Sequence, residues 1–355
     1  MQIDFHHGVT YVIARCAGFS HRDANVVAYA SQYVDDATSA GTIRFDTGAM
    51  YTRIASAHKM LDYRNSKTLK NSQVWVPFHF LPGNGGKEAG QNPSGSFINK
   101  LVCKPDSYVS HDVVAACIAD KHKKYGLHRL GVTMHVYADT FAHQQFAGKN
   151  HKINTVTDIY VNGRKDRDWS DRIANFFVDR ALPLGHGPAL SYPDRPYLKW
   201  SYKNHRGKRI TRDNTAIFVE AAESLCKAMQ RFRAGDADFD APGFADQADE
   251  KSKIRTLLTE TREESGEERH KAWLSQIEAG YFGFGPQRVT YVPKGRGSWK
   301  HKALKTLDPT DDDDEKFIWS DAFLDSHWKR FHDGLQAHRF DVLHDILPRY
   351  GIQVA

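Results

Sequence analysis

The chain has 355 residues, 40% of them hydrophobic and 12% aromatic, enough to bury a large core as one big domain or two modest ones. It has no run near the roughly 18 uninterrupted apolar residues of a membrane span, and its start, Met1-Gln2-Ile3-Asp4-Phe5-His6-His7, lacks the basic and apolar stretches of a secretory signal. Membrane-spanning and secreted classes are therefore set aside and a cytoplasmic protein is expected. The formal charge of +6 suits an anionic partner only mildly, because acids and bases are interspersed, whereas the 19 histidines are an unusual number. Cys16, Cys103, Cys117 and Cys226 form no Cys-x2-Cys unit, which argues against a thiolate zinc site and against a disulfide framework.

In chain order, residues 22–38 read as a helix with Ala24, Val27, Ala28, Tyr33 and Val34 facing inward. It ends in Asp35 and Asp36, whose charges oppose the helix dipole, a cost that suggests another role for them. A second helix is expected at 48–63, carrying His58 and Asp62 four residues apart. Residues 73–80 read as extended, so His79 is expected as a satisfied core histidine, and a Pro-Gly-Asn-Gly-Gly loop follows. A helix near 110–121 precedes the most informative segment, a helix at 126–146. There His135, Asp139 and His143 recur every fourth residue and His128 lies one heptad earlier, so all four project from one face. Leu130, Val132, Met134, Val136, Tyr137, Phe141 and Ala142 surround that face with apolar side chains. Burying so many ligand-type groups is costly unless an ion or a full set of partners satisfies them, and imidazole with carboxylate is the usual donor set for a divalent ion.

Further on, a helix is expected at 169–181 and an irregular segment at 182–197. That segment holds Gly185-His186-Gly187 and Asp194, the latter read as a turn residue. A helix at 213–233 closes the first part. From about Ala234 the composition shifts to a linker, charged helices at 245–279, a solvated acidic run at 311–315 and a last helix at 320–347. In that last helix His327, His332, His338 and His344 do not share a face. The expected division is a helical metal-binding core domain, residues 1–235, and a C-terminal helical extension, residues 236–355.

Four segments, M-Q-I-D-F-H-H, S-Q-Y-V-D-D-A-T, P-F-H-F-L-P-G-N-G-G and M-H-V-Y-A-D-T-F-A-H-Q-Q-F-A-G, make most of the chain similar to a bacterial family of unknown function, DUF6765. More distantly, an early histidine, an aspartate closing an early helix, a central His-x3-Asp and a late Gly-His resemble the zinc-dependent phospholipase C and single-strand nuclease superfamily, over at most the first 235 residues. That resemblance implies an all-α fold, a multi-helix bundle gathering ligands around two or three zinc ions (Zn2+). In it His135 binds one ion, Asp139 bridges two, His6 or His7 supplies the early histidine, Asp35 or Asp36 the early aspartate, His58 the next histidine and His186 the late one. His143 is kept from the helical spacing. Two features depart from the superfamily pattern. Its next histidine usually follows the bridging aspartate by six residues, whereas His143 follows Asp139 by four. Its secreted members ligate zinc through a mature N-terminal amine, and no cleavage site that would generate one is visible here.

The function expected on these grounds is phosphodiester hydrolysis by a metal-bound hydroxide, on phospholipid or nucleic acid, with His135 and Asp139 central. Trp75, Phe78, Phe80 and Leu81 would suit a lipid-facing rim. Tyr197, Lys199, Trp200, Tyr202, Lys203 and Arg206 interleave rings and cations as a nucleic-acid site does. Two alternatives stay open: an HD-type metal phosphohydrolase using His111-Asp112, and a non-catalytic binding or effector module with a structural metal.

Overall fold

The computed structural model describes residues 1–57, 68–169, 185–307 and 316–353. A π-helical turn, Asp4–Val9, runs directly into α1 (Thr10–Cys16), followed by α2 (His21–Asp36). The hairpin β1 (Gly41–Phe45) and β2 (Met50–Arg53) comes next, then α3 (Thr68–Phe78), α4 (Ile98–Leu101), α5 (Tyr108–Ala119) and α6 (Gly126–Ala142). Strands β3 (Val156–Val161), β4 (Arg164–Lys165), β5 (Lys199–Asn204) and β6 (Arg209–Asp213) lead into the long α7 (Asn214–Ala234). The chain continues with α8 (Ala248–Glu260), α9 (Gly266–Glu278), α10 (Trp299–Leu304), β7 (Lys316–Phe317) and α11 (His327–Phe340).

The all-α expectation is overturned by two sheets. One has the order β2-β1-β7, with β1 antiparallel to β2 and parallel to β7; the other is antiparallel in the order β4-β3-β5-β6. The strands are short and lie between helices, so their period-2 pattern is brief. In β5 exposed Lys199 and Lys203 alternate with buried Trp200 and Tyr202. The helix expected at 48–63 begins instead as strand β2, because Tyr51 and Thr52 prefer a half-buried pleat and Asp46-Thr47-Gly48 supplies the turn. Residues 73–80, expected to be extended, are mostly helix: α3 packs against α6 and α11, and that burial overrides the strand preference of Val74, Trp75 and Val76. Pro77 falls in the last turn of α3, where it removes one backbone bond to the Gln73 carbonyl.

Helix α6 is the axis of the molecule, buried along its whole length except Leu127. It packs most closely on α2, whose start is capped by the Ser20 hydroxyl accepting from the Asp23 N–H at 3.1 Å. The approach requires Gly131: a Cβ there would lie 2.4 Å from the Val27 carbonyl oxygen and 2.5 Å from Ala30 Cβ. The segment after residue 235 packs into the same cores as the N-terminal helices. Ile254, Leu258, Trp273 and Ile277 share one cluster with Phe5, Val12 and Met134, and Trp328 and Phe331 share another with Tyr33 and Val132. Among the described residues, no helix is long and apolar enough to cross a membrane.

Candidate metal centre

Five separate parts of the chain converge on Asp139, which is buried in α6. One turn earlier on the same face, His135 places Nε2 at 3.4 Å from Asp139 Oδ2. The end of α3 brings in His79, with Nδ1 at 3.5 Å from the same oxygen and 3.2 Å from His135 Nε2. The end of α2 contributes Asp35, whose Oδ1 is 3.8 Å from both of those nitrogens. The π-helical turn contributes His6, stacked on His135 with 3.8 Å between centroids and with Nε2 at 3.2 Å from Asp139 Oδ1. Next to this group, His143 Nε2 and His186 Nε2 face opposite oxygens of Asp194, at 3.9 and 3.5 Å. Three triads have ligand atoms close enough together to hold a metal ion: His6, Asp35 and His135; His79, His135 and Asp139; and His143, His186 and Asp194.

The hydrogen bonds around the rings determine which nitrogens face inward. His135 Nδ1 pairs with the Ser31 carbonyl at 2.8 Å, His79 Nε2 with the Ser56 carbonyl at 2.9 Å, His143 Nδ1 with the His79 carbonyl at 2.7 Å, and His186 Nδ1 with the Leu190 carbonyl at 2.9 Å. A carbonyl only accepts, so each of these nitrogens carries the proton. On His143, kept neutral by burial, the other nitrogen presents a lone pair toward Asp194, and on His79, His135 and His186 the other nitrogen likewise faces a carboxylate. His79 Nδ1 and His135 Nε2 face each other at 3.2 Å, close enough to share a proton or to lie together against one cation. His6 is fully buried, and neither of its ring nitrogens has a well-formed hydrogen bond.

The α-amine of Met1 completes the cluster. It lies 2.5 Å from Asp139 Oδ1 and 3.4 Å from Asp194 Oδ1. Burial favours loss of its proton, but Asp139 and Asp194 outweigh that and raise its pKa to about 10. Burial also pushes the Asp139 carboxyl up, yet His143, the amine, His135 and His6 together hold it well below the usual range. For His143 burial dominates and lowers the pKa to about 3, so the ring is neutral. Burial, with His135 and the amine beside it, likewise keeps His6 well below the ordinary histidine value.

The family model described as "Family of unknown function (DUF6765)" matches residues 1–346. The chain belongs to the DUF6765 family. No curated protein and no solved structure matches it.

In this DUF6765 protein the residues expected from sequence divide into two groups. His6, Asp35, His135, Asp139, His143 and His186 all reach the cluster. His7 does not: it is turned toward α9, where its Nδ1 pairs with His270 Nε2 at 2.8 Å. Asp36 accepts from the Tyr291 hydroxyl at 2.5 Å and from Gln32 at 3.2 Å, facing away from the histidines. His128 leaves the expected metal face and pairs through Nε2 with His327 Nδ1 at 2.9 Å, beside Trp299. His58 and Asp62 lie outside the described residues. The HD dyad does not converge: His111 bonds Asp106 at 2.7 Å, whereas Asp112 accepts from the Tyr350 hydroxyl at 2.6 Å.

Three groups in the cluster were not expected from sequence. From sequence His79 reads as a core histidine and Asp194 as a turn residue, and no cleavage site points to an N-terminal amine. His79 lies one residue past α3. Gly185, with φ of 55°, is the one residue that can precede His186 here, since a Cβ would fall 2.0 Å from the Phe80 ring.

Proposed function

We propose that this cluster binds two or three divalent cations, zinc by the chemistry of its donors, and that the protein is a metal-dependent hydrolase of phosphoester bonds. The observation that carries the reading is the set of four histidines, each giving one ring N–H to a backbone carbonyl and turning the other nitrogen toward Asp35, Asp139 or Asp194. That is the outer-shell arrangement that fixes tautomer and orientation in histidine-ligated metal sites. Neutral imidazoles mixed with carboxylates suit zinc, whereas calcium and magnesium prefer oxygen donors alone.

When bound, closely spaced divalent ions polarise a phosphoryl oxygen, activate water near neutral pH and stabilise the leaving oxygen. The chain's own residues set the frame for that chemistry. Asp139 turns Oδ2 toward His79 and His135 and Oδ1 toward His6 and the Met1 amine, so its two oxygens serve different sides. Asp35 and His186 keep 35% and 20% of their side chains exposed, which gives a substrate two points of approach to an otherwise buried centre.

Hydrolysis of bis-p-nitrophenyl phosphate by the full-length protein tests the activity. Turnover that disappears on chelation and returns with zinc is expected. A zinc-loaded protein that cleaves neither this ester nor phospholipid nor nucleic acid would contradict the hydrolase reading and leave the metal a structural role.

A further inference from the structure

The sheet β4-β3-β5-β6 carries the net charge of the whole molecule. Residues 156–165 and 199–213, which make up the sheet with its turns, hold eight lysines and arginines against two aspartates, a net +6, equal to that of the entire chain. The rest of the protein is therefore net zero. Apart from the buried Arg212, the positive charge is also exposed on one side. Lys203 pairs in register with Arg209, and both are exposed, as is Lys199 on the same strand face, where Asp213 pairs with it at 2.8 Å. Arg164 extends the surface at the β3–β4 turn, and Arg206 and Lys208 extend it at the β5–β6 turn. Asp158 neutralises little of this, because it is shared by Lys165 and Lys203, each at 3.2 Å, and Arg209.

The rings that sequence placed beside these cations are on the other face. Trp200 and Tyr202 are 2% and 1% exposed and pack with Phe146, the ring next to His186. The buried Arg212 of β6 donates to the Phe141 and Ala142 carbonyls at the end of α6. The inner face of the sheet thus lies against the metal cluster, and its outer face is cationic. A hollow of about 310 Å³ on that outer face is lined by Tyr160, Lys199, Ser201, Arg209 and Thr211.

We propose that the outer face of this sheet docks a nucleic-acid strand through its phosphates. The charge pattern is complementary to a phosphodiester chain, and such contacts supply most of the sequence-independent affinity for nucleic acid. A membrane surface fits less well: lipid-docking elements add apolar side chains that insert, and none of the described exposed large hydrophobic residues lies on this sheet or its turns. For the hydrolase proposed above, this inference names the substrate class, and only in that respect does it rest on that reading.

The test is fluorescence anisotropy of a labelled single-stranded oligonucleotide with the full-length protein, in chelator, over a range of salt concentrations. Binding that weakens linearly with log salt is expected. Replacing three cations together, Lys203→Gln, Arg206→Gln and Lys208→Gln, should make that slope shallower by roughly 2, since each lost phosphate contact removes about 0.7. The pair Arg164→Gln and Lys165→Gln, on the other hairpin, should act in the same direction if the first variant folds poorly. No binding by the wild type at low salt, unchanged binding by both variants, or capture by phosphatidylglycerol vesicles in preference to the oligonucleotide would each overturn the proposal. Because binding is read without metal, its failure would leave the metal reading standing, and a metal-free protein would leave this one intact.

Discussion

At His79 the two ring nitrogens do different work, one held by the Ser56 carbonyl and the other aimed between Asp35 and Asp139. The same division separates ligand-type from bystander residues elsewhere and gives paired predictions. Asp139→Asn should remove at least one metal equivalent and nearly all phosphodiester hydrolysis while helical circular dichroism stays close to wild type. Asp35→Asn should lower metal content measured by mass spectrometry, whereas Asp36→Asn, at the residue tied to Tyr291, should leave it unchanged. Burial also predicts a pH dependence. It lowers His270 to about 4 and His338 to about 3, both from an ordinary value of 6.5. Unfolded, these rings take up protons near pH 6.5, so their contribution to stability is complete above that pH. It is lost as pH falls toward 4 and then 3, by on the order of 3 kcal/mol per ring. Urea unfolding midpoints should drop between pH 7 and pH 4.5, and His338→Gln should flatten that drop. The pair His6-His7 shows a limit of sequence at this scale: neighbouring helical residues diverge by roughly 100°, so only one can face the cluster, and the pattern does not say which. The Met1 amine left no side-chain signal at all.

At the scale of elements, the contact of α2 with α6 places both Asp35 and the Ser31 carbonyl that orients His135. Gly131→Ala would force a methyl group against Val27 and Ala30. An overpacking cost of about 1–3 kcal/mol in chemical unfolding is expected, together with weaker metal retention. Helices such as α2, α5, α6 and α7 were legible because their apolar period runs for three or more turns. The strands were not, since β4 and β7 are two residues each and β2 four, too short for alternation to stand out. The conformation of α3 does not follow from its own residues because its neighbours make it helical. His79 was missed with it, since an extended reading gives no reason to turn that ring toward α6.

In the molecule as a whole, the C-terminal segment holds the N-terminus in place. Arg269 on α9 is fully buried and pairs with Asp4 at 2.6 Å, with a further bond to Gln2 at 2.6 Å. Arg269→Ala would leave the Asp4 carboxylate buried without its partner. A loss of about 3–5 kcal/mol in unfolding free energy is expected, with displacement of the segment that carries Met1 and His6. Four-residue spacing on a buried helix pointed to His135, Asp139 and His143, whereas His6, Asp35 and His186 came only through the superfamily resemblance, the first two each as one of a pair. Neither gave any sign that residues beyond 235 would brace that cluster, because such contacts depend on tertiary packing. The most direct test of the account is the metal content of untagged, full-length protein purified without chelator, measured by elemental mass spectrometry. About two zinc equivalents per chain are expected, with a fall in Tm when they are removed. Less than about half an equivalent of any transition metal, together with a Tm that added zinc does not raise, would contradict it.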